Sequence, residues 1–238
     1  MRFILGEGRG EFTREKMKRL SLIVLLALMF AGCHYAGKFS GGVPGSGVRK
    51  SEKRELSPFT SISTDGAFDI EVVCQQAPSL EIEGDDNLLP LVSTKVSNGV
   101  LHIKNSGSYS THDPINIKIS VANIDSLNTN GAGTIKISGL KNDKFEIGSN
   151  GAPTIIVSGE TKVVEIDTNG AGKIDTHKLR AVRAAVESKG VSRVEVFARD
   201  ELNVTVSGPS QVIYDGDPQV NQTINGPGSV KKRESSGS

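Results

Sequence analysis

One phrase recurs through the second half of the chain. The sequence "TNGAGTIKISG" at 129–139 is followed by "SNGAPTIIVSG" at 149–159 and "TNGAGKIDTHK" at 168–178. A catalytic motif needs to occur only once, whereas a phrase that returns at a fixed period usually describes architecture. An earlier copy, "DGAFDIEV", and later, weaker copies extend the series. The shared glycines, which we interpret as structural corners, are Gly66, Gly131, Gly151, Gly170, Gly190, Gly208 and Gly226.

The residues after each corner glycine alternate between apolar and polar. From Gly131 onward the glycines are spaced by 20, 19, 20, 18 and 18 residues. The residue four places after each glycine is aliphatic, the residue five places after it is mostly charged, and the residue six places after it is again mostly apolar. This alternation is the pattern of a strand with one buried face. The β-branched residues that stand four places after each glycine form a predicted core ladder, Ile70, Ile135, Ile155, Ile174, Val194, Val212 and Val230.

Two all-β folds fit this repeat. Asn-Gly between alternating segments is typical of a hairpin turn, which would give an antiparallel meander. Alternatively, each repeat is one coil of about 18–20 residues in a right-handed parallel β-helix, or β-solenoid, and equivalent residues stack from coil to coil. Asn and Gly tolerate the positive φ of a sharp corner in either case. The solenoid is favoured because stacking explains why one position stays aliphatic in every copy.

The N-terminus has the pattern of an export signal. "MKRLSLIVLLALMFAGC", from Met17 to Cys33, has a basic start and an apolar core shorter than the roughly 20 residues that span a bilayer. We expect Met17 to be the true start and residues 1–32 to be the signal peptide. The ending "FAGC" resembles the lipobox of bacterial lipoproteins. That resemblance implies that Cys33 is lipidated and anchors the protein in the cell envelope, at the outer membrane, on its periplasmic or surface face.

The remaining chain divides by composition. Residues 33–54 are rich in Gly, Ser and Lys and are predicted to be a flexible tether. Residues 55–232 are predicted to be one β-solenoid domain, with a β-rich N-terminal portion over 55–125 and the repeats over 126–232. Residues 233–238 read as a polar tail.

Charge and composition exclude some functions. Without residues 1–32 the chain has 22 basic and 24 acidic residues, so nothing electrostatic favours nucleic acid as a partner. The chain has no Trp and three Tyr, so it offers few aromatic platforms for sugars. The G-x-G within the repeat lacks the third glycine and the following helix of a dinucleotide site. No cofactor is predicted.

The chemistry-bearing residues do not form a recognisable motif. The histidines show no paired spacing of a zinc site, and no G-x-S-x-G presents a nucleophile; they are His34, His102, His112 and His177. Cys74 ends an ordinary strand pattern and is predicted to be a packed side chain. A calcium ladder is excluded because most repeats lack an acidic residue at the position of Asp175, although a single site there stays open.

One pair of carboxylates keeps an enzymatic alternative open. Asp175 and Glu195 occupy equivalent positions in neighbouring repeats, so in a solenoid they would stack about 4.8 Å apart. Polysaccharide lyases and hydrolases that share the β-helix architecture need carboxylates or basic residues clustered on one face. The blander interpretation is that both are solvated surface charges, and no catalytic or metal-binding residue is predicted.

Several segments together resemble a known family. The chain resembles the putative auto-transporter adhesin head GIN domain family in "SPFTSISTDGAFDIEV", in "NLLPLVSTKVSNGVLHIK" and in its serial G-x-G phrases. The resemblance implies a β-solenoid envelope protein and carries over no catalytic residue. We therefore expect a non-enzymatic, adhesin-like interaction or structural module, with the membrane as a partner through the lipid and a glycan or envelope protein as its ligand. The alternative is a polysaccharide-modifying enzyme.

Overall fold

The computed structural model describes residues 42–234, and this part of the chain is built almost entirely of strands. One short 3-10 turn, Leu89–Leu91, interrupts them. No helix within residues 42–234 has the length and apolarity to cross a membrane. The strands are β1 (Val43–Pro44), β2 (Arg49–Arg54), β3 (Ser61–Asp65), β4 (Asp69–Val73), β5 (Ser79–Asp85), β6 (Val92–Ser97), β7 (Val100–Asn105), β8 (Tyr109–Ser110), β9 (Asn116–Ser120), β10 (Ser126–Thr129), β11 (Ala132–Ser149), β12 (Ala152–Thr168), β13 (Lys173–Lys189), β14 (Arg193–Phe197), β15 (Glu201–Ser207), β16 (Gln211–Asp215), β17 (Gln219–Asn225) and β18 (Ser229–Lys232).

The strands stack in two rows that form the two faces of a solenoid. The first face contains, in order, β2, β5, β9, β4, the first halves of β11, β12 and β13, and then β14, β16 and β18. The second face contains β6, β7, β3, β10, the second halves of β11, β12 and β13, and then β15 and β17. The long strands pass from one face to the other where the pairing register shifts, for example between Ile137 and Leu140.

Parallel pairing confirms the predicted solenoid. Every pairing that links β10 through β18 is parallel. The antiparallel meander is therefore wrong for the repeats. Among the described residues, antiparallel pairs are confined to the N-terminal portion, where β2 joins β5, β5 joins β9 and β6 joins β7. The last of these pairs is a hairpin that turns at Asn98 and Gly99, and Asn98 has the positive φ of 53° that such a turn uses.

The interior is one continuous apolar core. The ladder residues pair in register from coil to coil, so that Ile155 lies between Ile135 and Ile174, and the series runs from Ile70 to Val230. Its members are buried up to Val212, and Val230 is partly buried at the end of the stack. Stacking thus gives each aliphatic side chain within the ladder a like neighbour above and below, which explains the strict repetition.

The predicted flexible tether over 33–54 is wrong from β1 onward. Val43–Pro44 pair with β8, and residues 49–54 belong to the main sheet. These residues form β2, which pairs antiparallel with β5 along its whole length. The sequence "RKSEKR" lacks apolar alternation because an edge strand can be held by backbone hydrogen bonds while its side chains stay largely exposed. Arg54 adds hydrogen bonds to the carbonyl oxygens of Leu89 and Val92. Residues 33–41, the signal peptide and Cys33 lie outside the described residues.

Candidate functional site

The corner glycines form a column in which the backbones of successive coils almost touch. A Cβ atom on Gly151 would lie 2.0 Å from the carbonyl oxygen of Gly131, and one on Gly170 would lie 2.0 Å from that of Gly151. These three glycines do not have positive φ, whereas Gly66 and Gly190 do, at 143° and 136°. Positive φ therefore explains glycine at only some of the corners, and in the middle coils the close approach of the backbones requires it.

Asparagine side chains extend the corner column. The amide nitrogen Nδ2 of Asn150 donates a hydrogen bond of 3.2 Å to Oδ1 of Asn130 in the preceding coil. Both side chains are exposed. The corner phrase therefore has a structural role, in which glycine allows the coils to approach and asparagine links them.

The two carboxylates of the enzymatic alternative do meet. Asp175 and Glu195 pair in register on β13 and β14 of the first face, and His177 lies beside them. Ligand atoms of the three residues lie within 4.8 Å of one another. His177 Nδ1 is hydrogen-bonded to an Asp175 carboxylate oxygen. These three residue types can bind a metal ion, so the charges around the group decide whether it can hold one.

Cations already surround these carboxylates. Arg193 Nε lies 3.0 Å from Glu195 Oε1, Lys173 Nζ lies 3.6 Å from the same oxygen, and Arg233 donates to Glu195 Oε2. Burial of Glu195 raises its pKa, but the hydrogen bonds from Arg233 and Arg193 outweigh that effect and lower the pKa to about 2. A divalent cation at this point would be repelled by three positive side chains.

The same surroundings argue against acid catalysis by Glu195. A general acid needs a pKa near the working pH, and Glu195 is held ionised. Arg233 also donates from Nε to both carboxylate oxygens of Asp215, at 2.9 and 3.0 Å. The group therefore fits an ion network that joins β14, β16 and the residue after β18.

The second face carries a different feature, a shallow groove of about 580 Å³ with acidic and amide side chains. We call it the acidic groove. Two outward columns build it, because residues five and three places before each corner glycine stack from coil to coil. The first column holds Glu146, Glu165, Ala185 and Asn203, and the second holds Asn128, Gly148, Asp167, Glu187 and Thr205.

The depth of the groove comes from two small residues. Gly148 and Ala185 interrupt columns that otherwise hold long or branched polar side chains. The Asn128 side chain leans over Gly148, where a Cβ atom would lie 2.3 Å from Asn128 Oδ1. The groove thus has carboxylates and amides around a floor formed by backbone and short side chains.

The groove keeps a negative charge. Four carboxylates line it, and two lysines compensate them in part. Lys144 Nζ lies 2.6 Å from Glu146 and 2.9 Å from Glu165, and hydrogen bonds to these two carboxylates raise its pKa. Lys189 lies 2.6 Å from Glu187. Asp167 has no ion-pair partner within residues 42–234.

The sequence interpretation missed this groove. It followed the residues after each corner glycine, whereas the groove residues precede the glycines by fixed distances. Glu146 and Glu165 both stand five places before a corner glycine, and a comparison of outward positions across the repeats would have found them. Cys74, by contrast, lies as predicted in the core, where burial raises the pKa of its thiol to about 11.

Comparison with known proteins identifies relatives. The family described as "Putative auto-transporter adhesin, head GIN domain" matches residues 58–218. No functionally curated protein matches this chain. A putative adhesin from Bacteroides fragilis has a similar structure, with a TM-score of 0.68, 20% identity, and coverage of 81% of this chain and 100% of that one. At this identity the likeness shows the fold alone.

Two further solved structures have lower TM-scores. A putative adhesin from Parabacteroides merdae has a TM-score of 0.49 with 18% identity, and covers 81% of this chain and 99% of its own. A putative lipid binding protein from Parabacteroides distasonis has a TM-score of 0.47 with 22% identity, with the same two coverages.

Proposed function

Because this chain belongs to the putative auto-transporter adhesin, head GIN domain family, we propose that it is a non-enzymatic lipoprotein of the cell envelope that binds a glycan through its acidic groove. Family membership supports an adhesin-like role at the cell surface or envelope. The lipid anchor, the ligand and the binding face are the proposal's own additions, and each rests on separate features of the chain.

The observation that carries the ligand assignment is the repetition of polar side chains in the acidic groove. Carboxylate and amide groups accept and donate hydrogen bonds, which suits the many hydroxyl groups of a sugar chain. Their repetition from coil to coil, about 4.8 Å apart, offers equivalent partners along the solenoid axis to a ligand that is itself a repeating polymer. The groove is open and shallow, as expected for a linear chain that is bound without being enclosed.

The ion network on the first face favours binding over catalysis. The enzymatic alternative depended on Asp175 and Glu195. Both carboxylate oxygens of Glu195 already accept hydrogen bonds, one from Arg193 and one from Arg233. The carboxylates of the acidic groove project outward from the second face and are partly paired with lysines. A glycoside hydrolase site would need an acid of raised pKa and a second carboxylate facing it across the scissile bond.

The proposed anchor also determines how the groove is presented. The lipobox-like "FAGC" ends at Cys33, and β1 begins at Val43. The nine intervening residues can span about 30–35 Å when fully extended. A lipid on Cys33 would therefore hold the N-terminal end of the solenoid near the membrane and leave the acidic groove, on the later coils, further out.

Binding to a glycan array tests the ligand assignment. We expect the processed protein to bind one or more linear glycans, and the double variant Glu165→Gln with Asp167→Asn to bind them at least about tenfold more weakly, a loss of about 1.4 kcal/mol. Glu71→Gln is the matched control because Glu71 is an exposed carboxylate on the first face. Equal binding by the double variant and the control would refute the groove as the contact.

A further inference from the structure

The last coil exposes positions that the earlier coils bury. Ile224 is 39% exposed, and Val220 and Gln222 are also accessible, although all three stack on the buried residues Leu202, Val204 and Val206. On the first face, Val230 is only partly buried, whereas Val212 beneath it is fully buried. Within residues 42–234, β17 pairs only with β15, and β18 only with β16. Each end strand thus presents a free backbone edge, which is a template for another strand.

The two edges differ in charge. β17, "QVNQTIN", has no charged residue and no proline, and its Asn221 already donates a 3.0 Å hydrogen bond to Asn203 in the coil below. β18 ends in Lys231 and Lys232. Lys232 forms an ion pair with Asp217, whereas Lys231 makes no ion pair within residues 42–234. The end of the solenoid therefore has one neutral polar edge and one basic edge.

We infer that a second copy of the chain docks on this end, tail to tail, so that β17 of each copy pairs with β18 of the other. The chain runs along the second face in β17 and returns along the first face in β18. A two-fold axis parallel to the strands brings β17 of one copy beside β18 of the other, and the two strands then run antiparallel. The interface is the same for both copies and closes at a dimer.

Charge selects this pairing over the other ways of joining two copies. If β17 paired with β17, the two β18 strands would also meet, and lysines would face lysines, which is unfavourable across strands. A head-to-tail stack would place β18 against β2, whose sequence "RKSEKR" carries four basic residues. Only the pairing of β17 with the partner's β18 places the cations of β18 opposite amide and hydroxyl groups.

The inward and outward sides of the strands fix the register. Val230 and Ile224 both face the interior, and pairing Val230 with the partner's Ile224 continues the apolar core across the junction. Lys232 then lies opposite the partner's Gln222, also on the inner side, and Lys231 lies opposite the partner's Thr223 on the outer side. Shifting the register by two residues would place Lys232 against the partner's Val220 instead.

A charge-reversal experiment tests the dimer. In density-matched detergent, the full-length chain should sediment as a dimer. Thr223→Lys should raise the dissociation constant of the dimer at least about tenfold, because the two-fold axis then places a lysine opposite Lys231 at two points of the interface. Thr205→Lys, in the same column one coil earlier, should leave the Kd unchanged. Adding Lys231→Glu to Thr223→Lys should restore the dimer. A monomeric wild-type chain, or equal weakening by both lysine variants, would overturn the inference.

Disulfide trapping tests the register independently. Thr223 and Lys231 project from opposite faces of one copy, so a double cysteine variant at these positions can form a bond only between copies. Oxidation should yield a covalent dimer from Thr223→Cys with Lys231→Cys, and not from either single variant. The control is Thr205→Cys with Ile213→Cys, two positions that lie one coil earlier on the same two faces. A dimer in the control, or none in the test variant, contradicts the pairing.

Discussion

At the scale of single residues, the two neighbours Ile155 and Ile156 show how sharply the coil separates inside from outside. Ile155 is fully buried and lies in the core ladder, whereas Ile156 is half-buried and stacks on the outer surface between Lys136 and Asp175. The two residues are chemically identical, so any difference in the effect of mutating them reports their surroundings alone.

We expect Ile155→Ala to lower the free energy of unfolding by about 2–4 kcal/mol, because it leaves a cavity between Ile135 and Ile174 that the coils cannot close. Ile156→Ala should cost less than half as much, since the lost side chain is partly solvated. Urea denaturation followed by circular dichroism measures both. Equal losses at the two positions would mean that the inward and outward assignment of the repeat is wrong.

At the scale of the structural element, the C-terminal strand β18 depends on ions as well as on apolar contact. It has four residues, and its Val230 is only partly covered. Arg233, directly after it, reaches back to Asp215 and Glu195 on the two preceding strands of the first face. The predicted polar tail over 233–238 therefore begins with a residue that fastens the last coil to the rest of the solenoid.

This fastening should depend on pH. The folded-state pKa of Glu195 is lowered to about 2, below its usual value of 4.5, so its contribution to stability is complete above pH 4.5 and disappears as the pH falls towards 2. We expect Glu195→Gln to cost about 2–3 kcal/mol at pH 7 and little at pH 2, measured by urea denaturation. Glu165→Gln, an exposed carboxylate beside Lys144, should cost under about 1 kcal/mol. A pH-independent cost for Glu195→Gln would exclude the ionic explanation.

The elements that the sequence predicted are those in which stacking repeats a local pattern. The ladder from Ile70 to Val230 could be read directly because each coil must bury the same position. β2 could not, since a polar edge strand satisfies its backbone through β5 and leaves no periodic trace. The ion network also escaped prediction, because Arg233 stands 38 residues from Glu195 and no repeat relates the two.

At the scale of the whole molecule, the two faces of the solenoid divide its roles. The first face carries mixed charges and the ion network, and the second face carries the acidic groove. Both depend on outward residues that the apolar core does not constrain, so the same stack of coils could carry other side chains at these positions. This separation explains why the fold follows from the sequence more readily than the ligand does.

The proposed lipid anchor gives the last prediction. If Cys33 carries the lipid, wild-type protein should sediment with membranes after cell lysis and enter the detergent phase. Cys33→Ala should either accumulate as the unprocessed precursor or appear in the soluble fraction, because the lipid supplies the apolar surface that holds the chain in the bilayer. Cys74→Ala is the matched control, since Cys74 is buried in the core and should leave fractionation unchanged. If wild type and Cys33→Ala are both recovered as soluble processed protein, the chain is exported without a lipid, and the acidic groove must then reach its ligand as part of a free protein.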